Sequence, residues 1–215
     1  MVKVGSKPVT FDVHENTLRQ TSAFFKAALE QQRWKEGVSG VIELPSDDEL
    51  SEVDPAVFDA YLQWLYSGKV DYKCDITEKT RESHNVEFVK LAHMYVLGEK
   101  VQDDTFCDAV IDTMIDKIMY HLADGTRWFA TTDPVNIIYG GTPTGSPARR
   151  FLVDIYVRYG KSDWVEEERD VDHEVLLDLA RAFLDSRPQP KRDGIRSSSC
   201  QWHKHAGGEG CNCLS

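Results

Sequence analysis

The most constraining feature of the sequence is a long amphipathic stripe between residues 103 and 122. Its apolar members recur over about four turns with the three- and four-residue spacing of a helix that has one buried face. They are Cys107, Val110, Ile111, Met114, Ile115, Ile118, Met119 and Leu122. Asp103 and Asp104 suit its N-terminus, because acidic side chains interact favourably with the helix dipole. We therefore predict a long core helix in which Met114 and Met119 are packing residues.

Five other segments have the same helical spacing. One begins at Thr21 or Ser22, and the others span residues 54–68, 85–98, 146–160 and 172–186. Gly68, Gly98 and Gly160 are predicted to end three of them, because glycine is favoured just beyond a helix. In the last helix we expect five apolar residues to face the core, namely Leu176, Leu177, Ala180, Phe183 and Leu184.

Strand patterns lie near the N-terminus, and a different composition follows the long stripe. The strand patterns are short and cover residues 2–5, 9–13 and 41–45. Residues 123–145 contain several Gly, Pro and Thr residues and one short apolar run, so we predict a turn-rich connector there. The chain therefore begins with a small sheet and continues mainly as helices.

The composition is that of an ordinary soluble protein and argues against several kinds of partner. Of the 215 residues, 41% are apolar and 28% are charged, and the formal net charge is −11. A general nucleic-acid binder needs a basic face, and an anionic membrane repels an acidic protein, so we expect neither partner. No apolar run approaches the roughly 18 residues of a membrane span, and the N-terminus lacks a signal-peptide core. We expect a cytoplasmic or nuclear protein whose five cysteines, an odd number, stay reduced.

Catalytic motifs are missing from the sequence. It has no G-x-S-x-G elbow, no G-x-x-x-x-G-K-[ST] phosphate loop and no H-E-x-x-H helix. The Gly-rich stretch at residues 140–150 precedes a helix N-terminus, which is a place where anions bind, but it lacks the phosphate-loop lysine. The plainer interpretation is a loop followed by a capped helix. We therefore expect that the protein is not an enzyme.

The first third of the chain carries distinctive blocks in a fixed order. The pattern F-x-x-H-x-x-x-L-x-x-x-S-x-x-F falls on Phe11, His14, Leu18, Ser22 and Phe25. A strand ending in Leu44–Pro45 follows, and then a helix ending in the L-Y-x-G sequence of residues 65–68. These blocks closely resemble the BTB/POZ domain. Residues 88–115 resemble its closing helix pair, and residues 138–160 resemble extensions of short BTB proteins from filamentous fungi.

The resemblance implies an α+β protein in which a small β-sheet packs on an α-helical cluster. We predict a BTB/POZ domain at residues 1–122 and an α-helical extension at 123–187. The composition after Pro188 is that of a linker, so we predict a flexible Cys/His-containing tail at 188–215. The resemblance also implies that His14 packs at the strand–helix corner as a fold residue, rather than acting as a base or metal ligand. The implied function is protein–protein interaction, by self-association into a homo-oligomer or by docking of a partner protein.

A finer role is suggested by Trp34, Lys35 and Glu36. Cullin-binding BTB domains resemble this stretch, with a hydrophobic residue, any residue and then glutamate in the loop after a helix. The resemblance implies partner-binding residues in a substrate adaptor for a cullin-type ubiquitin ligase, in which the extension would recognise the substrate. The alternative is a simple turn with one apolar anchor.

The end of the chain places five soft or borderline metal ligands within a short stretch. They are Cys200, His203, His205, Cys211 and Cys213. Zinc takes four tetrahedral ligands from thiolates and imidazoles. We predict that the first four hold zinc and that Cys213 can replace one of them, which would make the protein a zinc-binding regulator. The alternative is a flexible tail with reduced thiols.

A zinc site in this tail predicts stoichiometric metal after dialysis against a weak chelator. Replacing Cys200→Ser together with Cys211→Ser should remove the metal. Zinc affinity should also fall at low pH, because the ligating thiols must be deprotonated. Metal analysis of both proteins measures the difference, and equal zinc in the two would contradict the site.

Overall fold

A computed structural model gives the arrangement of most of the chain. It describes residues 1–34, 41–44, 53–73, 80–120, 125, 127–161, 164 and 171–187. Within those ranges a mixed three-stranded sheet and eight helices form an α+β fold, as predicted. None of the helices in these ranges has the length and hydropathy that a membrane span requires.

The sheet is built around β1 (Val2–Val4). β2 (Val9–Phe11) pairs with β1 in the antiparallel direction, and β3 (Ile42–Glu43) pairs with it in parallel. Val2 and Val4 are almost fully buried in the core. All three predicted strands are confirmed, and each is shorter than its sequence pattern.

The first three helices complete the N-terminal part of the fold. They are α1 (Glu15–Thr21), α2 (Ala23–Trp34) and α3 (Pro55–Ser67). Asp54 caps α3 by accepting a hydrogen bond from the Ala56 N–H at 2.8 Å, which satisfies a backbone donor of the first turn. Gly68 ends α3 in the left-handed conformation, with φ of 70°. The predicted end of this helix is therefore confirmed.

α4 (Arg81–Lys100) and α5 (Asp104–Met119) form a helix pair joined by a tight turn. α4 continues through Gly98, so the prediction that this glycine ends the helix is wrong. A Cβ atom at Gly98 would lie 2.6 Å from the Cys107 Sγ atom and 3.2 Å from the Phe106 ring. The glycine therefore allows close packing of α4 on α5 and has no role as a terminus.

The amphipathic stripe on α5 is only partly buried. Its buried members are Cys107, Val110, Met114 and Ile118. The packing role predicted for Met114 is confirmed, and the one predicted for Met119 is wrong, because Met119 is 50% exposed. Ile115, another member of the stripe, is also exposed. The stripe is wider than the side of α5 that its neighbours cover.

α6 (Thr132–Gly141) lies where a turn-rich connector was expected, so that prediction is wrong over these residues. Its apolar residues Val135, Ile138 and Tyr139 are buried, and α6 makes the most extensive contact between any two described elements, with α4. The sequence did not predict this short helix, because the two glycines at its end suggested a turn-rich segment. Residues on both sides of position 122 thus contribute to one hydrophobic core, and the domain boundary there stays a prediction.

α7 (Pro147–Tyr159) and α8 (His173–Ser186) pack against each other. α8 buries Val175 and Leu179. The prediction for the inward-facing residues of this helix is wrong. All five of them are exposed, namely Leu176, Leu177, Ala180, Phe183 and Leu184. Apolar residues occupy more than half of the circumference of α8, and its neighbours cover only one edge of that arc.

Gly141 sets how closely α6 approaches α4. A Cβ atom there would lie 2.5 Å from both methyl carbons of Val96, whose branched side chain has few other rotamers. Gly141→Ala should therefore lower the free energy of unfolding by about 1–3 kcal/mol. Gly140→Ala is the matched control, because a Cβ atom at Gly140 meets nothing within 4 Å and alanine favours a helix. Denaturant unfolding measures both variants, and equal stabilities would contradict this close contact.

Candidate protein-interaction surface

A buried carboxylate at the α4–α5 turn positions three helices. Asp103 is 0% exposed and accepts hydrogen bonds from the Tyr61 hydroxyl at 2.8 Å and from Thr21 Oγ1 at 2.5 Å. It also accepts from the Phe106 N–H at 3.0 Å and so caps α5. Burial, followed by the negative charge of Asp103, raises the pKa of Tyr61 far above its usual value. The Tyr61 hydroxyl therefore stays protonated and keeps donating to the carboxylate.

Ser22 links the start of α2 to the same turn. Its hydroxyl donates to the Val101 carbonyl oxygen at 2.5 Å and accepts from the Phe25 N–H at 3.1 Å. The Ala23 N–H donates to the Gln102 carbonyl oxygen at 3.1 Å. Of the two predicted starts of this helix, Thr21 and Ser22, it is Ser22 that caps it. The serine of the sequence pattern therefore holds α2 against the α4–α5 turn.

A buried lysine joins the other ends of α4 and α5. The Lys117 ammonium forms an ion pair with the Glu87 carboxylate, and its Nζ atom lies 3.1 Å from His84 Nδ1. The opposite charge of Glu87 makes the burial of Lys117 tolerable. The His84 ring stacks on Trp128, with 5.2 Å between ring centroids. This cluster holds the segment after α5 against the helix pair.

Large apolar side chains are exposed next to one another on two described helices. At the end of α5, Ile115, Met119 and Tyr120 form a group that we call the α5 patch. On α8, we call the exposed residues Leu176, Leu177, Ala180, Phe183 and Leu184 the α8 face. Adjacent exposed apolar side chains are typical of interaction sites. The sequence analysis did not predict that these two groups are exposed, because they continue the apolar stripes that were expected to be buried. The only sign of exposure in the sequence was the width of those stripes.

A family model described as the BTB/POZ domain matches residues 1–105. The chain contains a BTB/POZ domain. The match takes in the sheet, α1 to α4 and the start of α5, and it ends two residues beyond Asp103. BTB/POZ domains are generally protein–protein interaction modules, so the domain provides an interaction function. No curated protein matches the chain.

His14 lies at the corner between β2 and α1 of the BTB/POZ domain, but its side chain is exposed. The prediction that this side chain packs at the corner is therefore wrong. The backbone of His14 caps α1, because its carbonyl oxygen accepts from the Thr17 N–H at 3.0 Å. Its own N–H donates to the Tyr66 hydroxyl at 3.4 Å, which connects the corner to the end of α3.

The residues predicted to bind partners and metal lie at or beyond the limits of the described residues. Trp34 is the last residue of α2, and its side chain, Lys35 and Glu36 lie outside the description. The candidate zinc ligands also lie outside it, namely Cys200, His203, His205, Cys211 and Cys213. Both sites stay predictions.

The described part of the chain holds no group of three or more His, Cys, Asp and Glu side chains arranged for a metal ion. Cys107 is buried between α4 and α5. Burial, followed by the negative charges of Glu99 and Asp104, raises the pKa of the Cys107 thiol far above its usual value. The thiol therefore stays protonated and packs as an apolar group.

Arg149 lies at the end of the Gly-rich stretch at residues 140–150 and bonds to three other parts of the chain. Its Nε atom donates to Thr142 Oγ1 at 3.1 Å, and its two terminal nitrogens donate to the Tyr139 and Thr142 carbonyl oxygens and the Glu174 carboxylate. The guanidinium carbon also lies 4.6 Å from the centre of the Tyr139 ring. All three nitrogens are thus engaged within the chain, and Arg149 ties α7 to α6 and α8.

The contribution of Asp103 can be measured against its exposed neighbour. Asp103→Ala should lower the free energy of unfolding by about 3 kcal/mol, because it removes a helix cap and leaves the buried Tyr61 hydroxyl without this acceptor. In a Tyr61→Phe background the same change should cost less, since that hydroxyl is already gone. Asp104→Ala, at an exposed position, is the control and should have a small effect. Denaturant unfolding of the wild type, the two single variants and the double variant gives the coupling energy, and strictly additive losses would contradict the shared site.

Proposed function

We propose that the protein is a non-catalytic interaction module whose BTB/POZ domain docks a partner protein or a second copy of the chain. The observation that carries this proposal is the BTB/POZ match over residues 1–105. The α5 patch lies beyond the matched residues and within the predicted domain limits of 1–122. It supports the proposal as a neighbouring surface, because exposed apolar side chains gain free energy when a partner covers them. The net charge of −11 favours a protein partner over nucleic acid.

A cullin adaptor is the second and finer candidate. It is favoured by the Trp34–Lys35–Glu36 sequence, which begins where α2 ends. The start of α2 is bonded to the α4–α5 turn through Ser22, so the domain core supports the helix that leads into this sequence. In this role the helical extension would recognise the substrate.

Affinity purification with quantitative mass spectrometry tests both roles. The tagged chain should recover a cullin subunit if it is an adaptor. Trp34→Ala should then weaken that binding by about 2 kcal/mol or more, roughly 30-fold, because a buried tryptophan is a typical interface hot spot. The double change Trp34→Ala, Glu36→Ala should abolish recovery. Lys35→Ala is the matched control, because the resemblance allows any residue at that position.

The outcomes separate the two candidates. If all variants recover the same amount of a stoichiometric partner that is not a cullin, or of a second copy of the chain, that result would support docking and contradict the adaptor role. Cullin binding unchanged in the double variant would also contradict the adaptor role as argued from these residues. A chain that is monomeric and recovers no stoichiometric protein would contradict the docking function itself.

A further inference from the structure

Four exposed residues form a continuous line along the outer side of α5. Their spacing of four, three and four residues is that of the contact line between two paired helices. We call this line the α5 seam, and its members are Asp108, Asp112, Ile115 and Met119. The seam is therefore acidic in its first half and apolar in its second half.

Two further exposed aspartates border the α5 seam on opposite sides. With about 3.6 residues per turn, Asp104 lies about 50° to one side of the seam and Asp116 about 70° to the other. None of the four carboxylates on this side of α5 forms an ion pair or hydrogen bond with another residue that the structure describes. Lys117 is the one basic residue of α5, and its ammonium is buried in the ion pair with Glu87. The outer side of α5 therefore carries negative charge only.

This arrangement of charges is unfavourable for α5 on its own. The four aspartates follow one another at intervals of four residues, so each repels the next along the helix. Asp116 also lies in the last turn of α5, where the helix dipole favours a positive charge. A cationic partner would relieve both effects.

The geometry points to a partner helix that is basic in one half and apolar in the other as the occupant of the α5 seam. Lysine or arginine side chains of the basic half pair with Asp108 and Asp112. The apolar half covers Ile115 and Met119. An antiparallel orientation puts the basic half at the C-terminal end of the partner helix, where its own dipole favours positive charge. This inference rests on the proposed docking function and names the chemistry of the partner segment.

The same charges disfavour other occupants of the α5 seam. A second copy of the chain that used this side of α5 would set two groups of carboxylates against each other, and like charges across an interface are costly. Residues 188–215 of the chain include Lys191, Arg192 and Arg196, but Ile195 is the one large apolar residue beside them. That segment therefore matches the acidic half of the seam better than its apolar half.

Fluorescence anisotropy with the full chain and a labelled model peptide tests this inference. The probe is a helical peptide of 16 residues, the length of α5. It has leucines in its first half and lysines in its second half, at the spacing of the seam. The wild type should bind it, and more weakly at high salt, because salt screens exposed charge pairs. A peptide with glutamine in place of the leucines should bind about tenfold more weakly, because the apolar contact is lost.

A charge-neutralising variant of the seam measures the contribution of its acidic half. Asp108→Asn with Asp112→Asn should weaken peptide binding by about tenfold, because two charge pairs in the contact are lost. Asp12→Asn with Asp185→Asn is the matched control, since it removes the same net charge from exposed positions outside α5. The control should weaken binding by less than about twofold, because salt screens distant charges. The seam variant should be as stable to denaturant as the wild type, because the change relieves repulsion along α5.

Several results would overturn the inference. A wild type that does not bind the peptide would do so. Equal losses in the seam variant and in the control would also do so, because they would show attraction to net charge alone. Peptide binding that is seen only after Lys191→Gln with Arg192→Gln would place the chain's own basic segment on α5.

Affinity purification with the same variants separates this inference from the proposed function. A partner that docks on the α5 seam should be recovered by the control and lost from the seam variant. A stoichiometric partner recovered equally by both would place docking on another surface, which would overturn the inference and leave the proposed function standing. A monomeric chain that recovers no protein would contradict the proposed function, and peptide binding would still decide whether the seam takes a basic helix.

Discussion

The Asp103 carboxylate is the group on which the meeting of the helices depends. Removing a charge from water is very costly unless hydrogen bonds replace its hydration. Here the donors come from Thr21 at the end of α1, Tyr61 in α3 and the Phe106 N–H in α5. The carboxylate is satisfied only when these three helices converge on one turn. Ser22 uses the same turn to hold α2, so four of the helices take their positions from it.

α4 connects this N-terminal arrangement to the extension. Gly98 lets α4 pack closely on α5, and Gly141 of α6 lets that helix approach Val96 on α4. Each contact depends on a missing side chain, which makes both distances sensitive to a single methyl group. The hydrophobic core therefore continues through α4 into the extension. The end of the family match at residue 105 marks a limit of sequence similarity and not a limit of the core.

The sequence predicted the fold best where a residue type has one structural meaning. Asp54 and Gly68 define the ends of α3 by local bonding and backbone conformation alone. The role of Gly98 could not be predicted in this way, because glycine is needed there to make room for the Cys107 side chain, which is distant in sequence. The stripes on α5 and α8 show how much apolar surface a helix offers, but only the neighbouring helices decide how much is covered. That is why Met119 and the α8 face were wrongly placed inside.

The candidate sites were predictable to different degrees for similar reasons. The BTB/POZ family could be identified because residues such as Ser22 make bonds that the fold needs at one position. His14 belongs to the same pattern, yet it acts through its backbone, so its identity gave no information about the burial of its side chain. The exposed patches depend on how much of each helix the other described elements cover, and a single helix pattern does not contain that information.

Cys107 lies against Gly98 between α4 and α5, and its thiol is both protonated and shielded. A thiol reagent can reach it only while the two helices are apart, and reaction also requires the thiolate. The rate of Cys107 labelling therefore reports how often this helix pair opens in the native state. The same shielding makes Cys107 a late target of oxidants in the folded protein. Oxidised Cys107 would identify those molecules whose core had already opened.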